Sequence, residues 1–160
     1  MIDLTNFDEY VSYFSGLAAS HTDVSSFFIG EMEHFQNEIK SNLQPRVLWL
    51  EPYQPVTVQD AISDNHLGQV NCSMVVYGVA ESEAFADSRT EYKNCEAVVK
   101  DIMSRMLKDY NEGIIMLRSL QGWTYGQAED IVGSTRLVGC RFDWNYMRPE
   151  RLAYNVAKWQ

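Results

Sequence analysis

Residues 81–113 read ESEAFADSRTEYKNCEAVVKDIMSRMLKDYNEG. Apolar side chains recur at Cys95, Val98, Val99, Ile102, Met103, Met106, Leu107 and Tyr110, the i, i+3, i+4, i+7 spacing of one helical face. The opposite face carries Glu91, Lys93, Glu96, Lys100, Asp101, Arg105 and Lys108. Glu96 with Lys100, and Asp101 with Arg105, are acid-before-base pairs at i, i+4, each worth about 0.2–0.5 kcal/mol. Either Ser82 or Ser88 serves as N-cap, the latter because Ser88-x-x-Glu91 reads as a capping box. Asn111 and Gly113 suit the C-terminal stop. The spacing predicts a long helix over about residues 82–110, with its single apolar side laid on a sheet. Its Met and Cys residues read as core filler, since both pack as ordinary hydrophobes.

Strand signals stand on both sides of this helix. GQVNCSMVVYGV (68–79) alternates: Val70, Cys72, Met74 and Val76 face one way, and Gln69, Asn71 and Ser73 the other. That pattern predicts one covered face and one wetter face, as in antiparallel sheets. Val56, Val58 and Ile62 extend before a turn-rich stretch, Ser63-Asp64-Asn65-His66-Leu67-Gly68, so residues 56–79 read as a hairpin about the loop at 63–67. Downstream, TRLVGCRFDWNY (135–146) places Val138, Cys140, Phe142 and Trp144 toward the core and Arg141, Asp143 and Asn145 outward, with Arg148-Pro149 ending the strand. IIMLRSL (114–120) is strand-like without clear alternation.

Toward the N-terminus, RVLWL (46–50), between Pro45 and Pro52, reads as a short buried strand. Residues 25–29 read as a strand and 31–40 as a short helix. Residues 5–19 read as a first helix, with Asn6-x-x-Glu9 as its capping box. The class expected is a single α+β domain over residues 1–160, its mainly antiparallel sheet packed by the long helix, the N-terminal helix and the short helix.

Two segments offer surfaces. Gly122-Trp123-Thr124-Tyr125-Gly126 reads as an exposed aromatic loop or as a packing corner. If exposed, Trp123 and Tyr125 would be rigid interface anchors. The end of the chain, residues 147–160, reads as a C-terminal arm, either a short helix or extended. Its apolar residues sit among Arg148, Arg151 and Lys158, and it docks either on its own domain or on a neighbouring subunit. The interface candidates are therefore Trp123, Tyr125, Arg148, Arg151 and Trp159.

At 160 residues, with 46% apolar and 22% charged side chains, the chain has the make-up of an ordinary globular domain. It has no run of about 18 apolar residues, so no membrane span is expected. The start, MIDLTNFDEY, is acidic and lacks a basic region followed by an apolar one, so no secretory signal is expected. Cys72, Cys95 and Cys140 are odd in number and far apart, which suggests reduced thiols in the cytoplasm. The net charge of −9 argues against general nucleic-acid binding. It is unevenly spread: residues 1–88 hold thirteen acids and two bases, and residues 89–160 nine acids and eleven bases. Solubility alone accounts for such a balance. Head-to-tail self-association into a ring is the sharper reading.

No phosphate loop, nucleophile elbow or paired-histidine metal motif is present. Glu31, Glu33, His34 and Glu38 fit a solvated helix face better than a metal site. Asp60, Asp64 and His66 are the most metal-like group, yet aspartates beside Asn and Gly are what tight turns use. Neither a catalytic residue nor a cofactor is expected, and function must be argued from a site.

The order of elements resembles tail-terminator and tail-completion proteins of tailed bacteriophages and prophages. Pro45-Arg46-Val47-Leu48-Trp49-Leu50-Glu51-Pro52 is similar to their early strand, Asp87 to Tyr110 to their principal helix, and Leu137-Val138-Gly139-Cys140-Arg141-Phe142-Asp143-Trp144 to their late strand. Together these cover roughly residues 24–146. The resemblance implies a structural role without catalysis: a ring, commonly hexameric, that stops tail-tube growth and joins the tail to the head. Its partners would be tail-tube and head-connector proteins. It would occupy the bacterial cytoplasm during assembly and the virion tail afterwards. Two other readings compete with it: a small ligand-binding or regulatory α+β domain, and an enzyme using the Asp60, Asp64, His66 loop.

Overall fold

The computed structural model describes residues 1–4, 6–31, 46–59, 66–80, 84–116, 121–132 and 135–150. Within them lie two helices, α1 (Phe7–Ser20) and α2 (Phe85–Asn111). The strands are β1 (Ile2–Asp3), β2 (Ser26–Ile29), β3 (Val47–Leu50), β4 (Gln54–Gln59), β5 (His66–Val79), β6 (Ile115–Met116), β7 (Gln121–Val132) and β8 (Thr135–Glu150). The main sheet runs β2-β3-β5-β8-β7, with β4 beside the first half of β5. Only β2 and β3 are parallel in it, so the α+β, mainly antiparallel class is as expected. Its spine is the β5–β8 ladder, in register from His66↔Glu150 to Val79↔Leu137. The hairpin of β4 and β5 forms, but its ladder runs to Gln59↔His66, so His66 and Leu67, expected in the loop at 63–67, are strand residues; its tip lies outside the described residues. So does the expected short helix, apart from Glu31.

One face of this sheet makes the core. Val70, Cys72, Met74 and Val76 of β5 join Cys140, Phe142, Trp144 and Tyr146 of β8, as the alternation requires. Onto them α2 lays Cys95, Val98, Val99, Ile102 and Met106, and α1 lays Tyr10, Phe14, Leu17 and Ala18. Each large side chain so buried contributes roughly 1.5–3 kcal/mol of transfer free energy. Aromatic rings carry much of it, with Phe142 stacked on Trp144 at 4.8 Å and Phe14 at 5.2 Å from the same indole.

The opposite face departs from the expectation of a wetter surface. Val75 and Tyr77 of β5 are buried there with Val47 and Trp49 of β3, Val132 of β7 and Leu137 of β8. The alternation of residues 69–73 gives way to Met74-Val75-Val76-Tyr77, which is apolar on both sides. Trp49 stacks on Tyr77 at 6.3 Å and donates its Nε1 hydrogen to the Gly30 carbonyl.

The helix termini differ in instructive ways. The Asp8 and Glu9 amides donate to Asn6 Oδ1, so Asn6 caps α1 as read. Glu9 does not complete the box; its Oε2 accepts from the Asp3 amide instead. In α2 the cap position falls on Ala84, with no side-chain cap. Ser88 is buried inside the first turns, and Glu91 reaches down to Arg46 Nε at 3.1 Å rather than back along the helix. Ser82 lies outside the described residues. Glu96 and Lys100 pair as expected, at 2.8 Å. Asp101 and Arg105 do not: Arg105 bonds Asp109, and Asp101 lies 3.5 Å from His21 Nε2. Asp109 is buried whereas Leu107 and Tyr110 stay exposed, so the buried stripe is narrower at its end than the spacing implies.

Pro149 does not end β8. It lies in the strand opposite Leu67. Among the described residues the β7–β8 pairing stops at Gln121↔Asn145, short of this proline.

Candidate assembly interface

β7 borders the main sheet. It pairs with β8 on one side, and among the described residues no strand pairs with its other side. The Gly122–Gly126 stretch, read as a loop or corner, is instead the start of this strand. A bulge makes that possible: Gln121 faces Asn145 and Thr124 faces Asp143, which leaves one extra residue on β7. Gly122 absorbs it at φ 68°, where Asn145 Nδ2 would stand 2.6 Å from any Cβ.

The bulge sorts the aromatic pair. Trp123 turns inward and packs edge-on against Phe142 at 5.1 Å, partly buried against the core, as the packing-corner alternative has it. Tyr125, two residues on, is 44% exposed, with Lys100 Nζ 5.3 Å from its ring centre. Further along the same face stand exposed Gln127, Glu129 and Ile131, the last at 69% exposure. Glu129 takes a 2.8 Å ion pair from Arg136 of β8. Natural edge strands are commonly guarded by lysines, prolines or bulges. β7 holds neither Lys nor Pro, and its bulge guards only the Gln121 end.

The other interface candidates do not gather here. Arg148 lies in β8 opposite Gly68, where the β5–β8 ladder continues four pairs past Val70↔Tyr146 with β4 on its flank. Arg151 and Trp159 lie outside the described residues, as do Asp60 and Asp64. His66 opens β5 opposite Glu150.

Polar chemistry concentrates at the open end of the back face. A groove of about 260 Å³ is lined by Glu51, Asn71, Ser73, Gly122, Arg141 and Asn145, among others. Arg141 grips both Glu51 oxygens through its terminal nitrogens at 2.8 and 2.9 Å, and Asp143 through Nε at 2.9 Å. Ser73 is buried, and among the described residues its hydroxyl has no hydrogen-bond partner. Residues 51 and 141 lie far apart in the chain, and only the sheet brings this ion pair together.

The thiols are equally quiet. Burial pushes Cys72 up to about 12 and Cys140 up to about 11, and raises Cys95 further. All three are free, buried and protonated at neutral pH, the opposite of a reactive cysteine. Among the described residues, no three His, Cys, Asp or Glu side chains group to hold a metal ion, and no helix is long and apolar enough to cross a membrane. Neither a family model nor a curated protein matches the chain.

Proposed function

We propose that this chain is a non-enzymatic assembly protein of the tail-terminator kind. It would form a ring that caps a phage tail tube and meets the head connector. The observation that supports this reading is the border strand β7: twelve residues long, unpaired on its outer side among the described residues, and carrying exposed Tyr125 and Ile131. An open strand of that length offers a row of backbone donors and acceptors to another chain. The uneven charge, acidic before residue 89 and slightly basic after it, favours a head-to-tail contact, which closes into a ring when the rotation allows.

Native mass spectrometry and negative-stain microscopy test the proposal. A closed ring whose population grows with protein concentration is expected. A strict monomer at high concentration in low salt, with no annular particles, would overturn it.

A further inference from the structure

A second groove, of about 440 Å³, lies between α1 and the last turns of α2, away from β7. Its apolar lining comes from Tyr13 and Leu17, both buried, with Ile2 and Ile114 beside them. At its base Asp109 is 1% exposed and fully engaged: Arg105 Nε reaches its two oxygens at 2.8 and 2.9 Å, and the Tyr13 hydroxyl donates at 2.9 Å. Those bonds pin the guanidinium by Nε alone. Its two terminal NH₂ groups make no hydrogen bond among the described residues, and Arg105 is half-exposed at the groove.

The α1 wall is unusually low. Ser12, Gly16 and Ser20 line it at i, i+4 and i+8. A Cβ added to Gly16 would meet nothing within 4 Å. Neither packing nor a left-handed backbone calls for glycine there, and glycine inside a helix costs about 0.5–1 kcal/mol relative to alanine. Gly16 lines the groove with Arg105, so a long side chain at residue 16 would stand in that space.

We infer that this groove binds a small amphiphile with an apolar body and a single carboxylate head. The head takes the two terminal nitrogens of Arg105, a fork that matches a carboxylate. The body lies on Tyr13, Leu17, Ile2 and Ile114. The donors, not the net charge, draw the head group: Asp109 already offsets Arg105 and Glu9 lines the groove as well, so every added negative charge is opposed, and a doubly charged phosphate head more than a single carboxylate. The groove's size falls within the range of small-molecule sites, which are mostly apolar with a few placed polar groups.

Calorimetry with octanoate, and with octanol and octyl phosphate as controls, tests this on the intact chain. Octanoate is expected to bind one per chain, and more tightly than octyl phosphate. Arg105→Gln, which retains a donor for Asp109, should weaken octanoate about tenfold to a hundredfold and leave octanol unchanged, because a charged hydrogen-bond pair is lost. Gly16→Leu should fill the groove and abolish binding of both, while its circular dichroism and melting temperature match those of Gly16→Ala. Octanoate binding that survives Gly16→Leu would overturn the site, as would no uptake by the native chain up to millimolar ligand. Equal losses of octanoate and octanol in Arg105→Gln, or tighter binding of octyl phosphate, would overturn the head-group assignment. A change of oligomeric state in Gly16→Leu would mark the groove as a protein contact instead and would also overturn the proposal.

Discussion

Glu91 lies flat across Gly78: one added carbon at residue 78 would stand 2.6 Å from the Glu91 carboxyl carbon and 2.7 Å from its Cγ. The contact joins α2 to the end of β5, and Glu91 also accepts from Arg46 Nε at 3.1 Å and Asn94 Nδ2 at 3.2 Å. Arg46 holds a left-handed φ of 62°, which costs a non-glycine residue about 1–2 kcal/mol and is held in place by this ion pair and by Ser25. Gly78→Ala should therefore destabilise the fold by about 1–3 kcal/mol in urea unfolding. The double variant Gly78→Ala/Glu91→Ala should cost less than the sum of the two single changes, because removing Glu91 removes the clash. Strict additivity would mean that the two residues do not compete for space.

Ile102 is 2% exposed at the centre of the α2 stripe. Ile102→Asp should unfold the domain, since a carboxylate there has neither water nor a partner. Ile102→Val should cost only about 0.5–1.5 kcal/mol. Solubility and near-ultraviolet circular dichroism separate the outcomes; a well-folded Ile102→Asp protein would mean that the core lies elsewhere.

Alkaline pH should erode stability through the thiols. Burial raises Cys72 from 9.0 to about 12, although its bonds with Tyr10 and Tyr146 pull the other way. The folded chain thus keeps a proton that the unfolded chain releases above about pH 9. The sign follows: this contribution is complete below pH 9 and is lost as pH rises toward 12, at up to about 1.4 kcal/mol per pH unit for the single group. Urea titrations between pH 8 and 11 should show a shallower loss for Cys72→Ala than for the native chain. Parallel slopes would remove Cys72 from the account.

The border strand offers a test of assembly that spares the fold. Gln127 and Ile131 are exposed on β7 and make no core contact. Gln127→Lys/Ile131→Lys should leave the melting temperature close to native, because surface changes of this kind usually stay within about 0.5 kcal/mol. Charged residues along the edge should disfavour strand addition and move the mass distribution toward monomer. An unchanged oligomer would place the contact away from β7.

Much of the architecture was legible where the signal is local and periodic. The α2 stripe, the alternation of β5 and the inward set Cys140, Phe142, Trp144 are each decided by neighbours in sequence. What escaped was decided by distant partners. Ser88 looked like a cap because Glu91 follows it at the right interval, but Glu91 is drawn to Arg46, which no local pattern reveals. The glycines around Trp123 leave it open between an exposed loop and a packing corner, because the bulge beside it is set by the register of β7 with β8. The α1–α2 groove depends on Tyr13 meeting Asp109, 96 residues away. Its one signal in the sequence is Gly16, a glycine inside the helix expected over residues 5–19.

The paired β1 and β6 bear on the order in which the chain is made. Ile2 lies beside Ile115 in a parallel pair, and Tyr146 donates its hydroxyl hydrogen to the Leu4 carbonyl at 2.6 Å. The residues that precede α1 are therefore secured only after β6 and β8 have been made. Until β8 emerges, Tyr10 and Phe14 of α1 lack Trp144, and the partly made chain carries these aromatic rings uncovered on that side. How far synthesis has run past α1, more than final stability, then sets how long that surface stays uncovered.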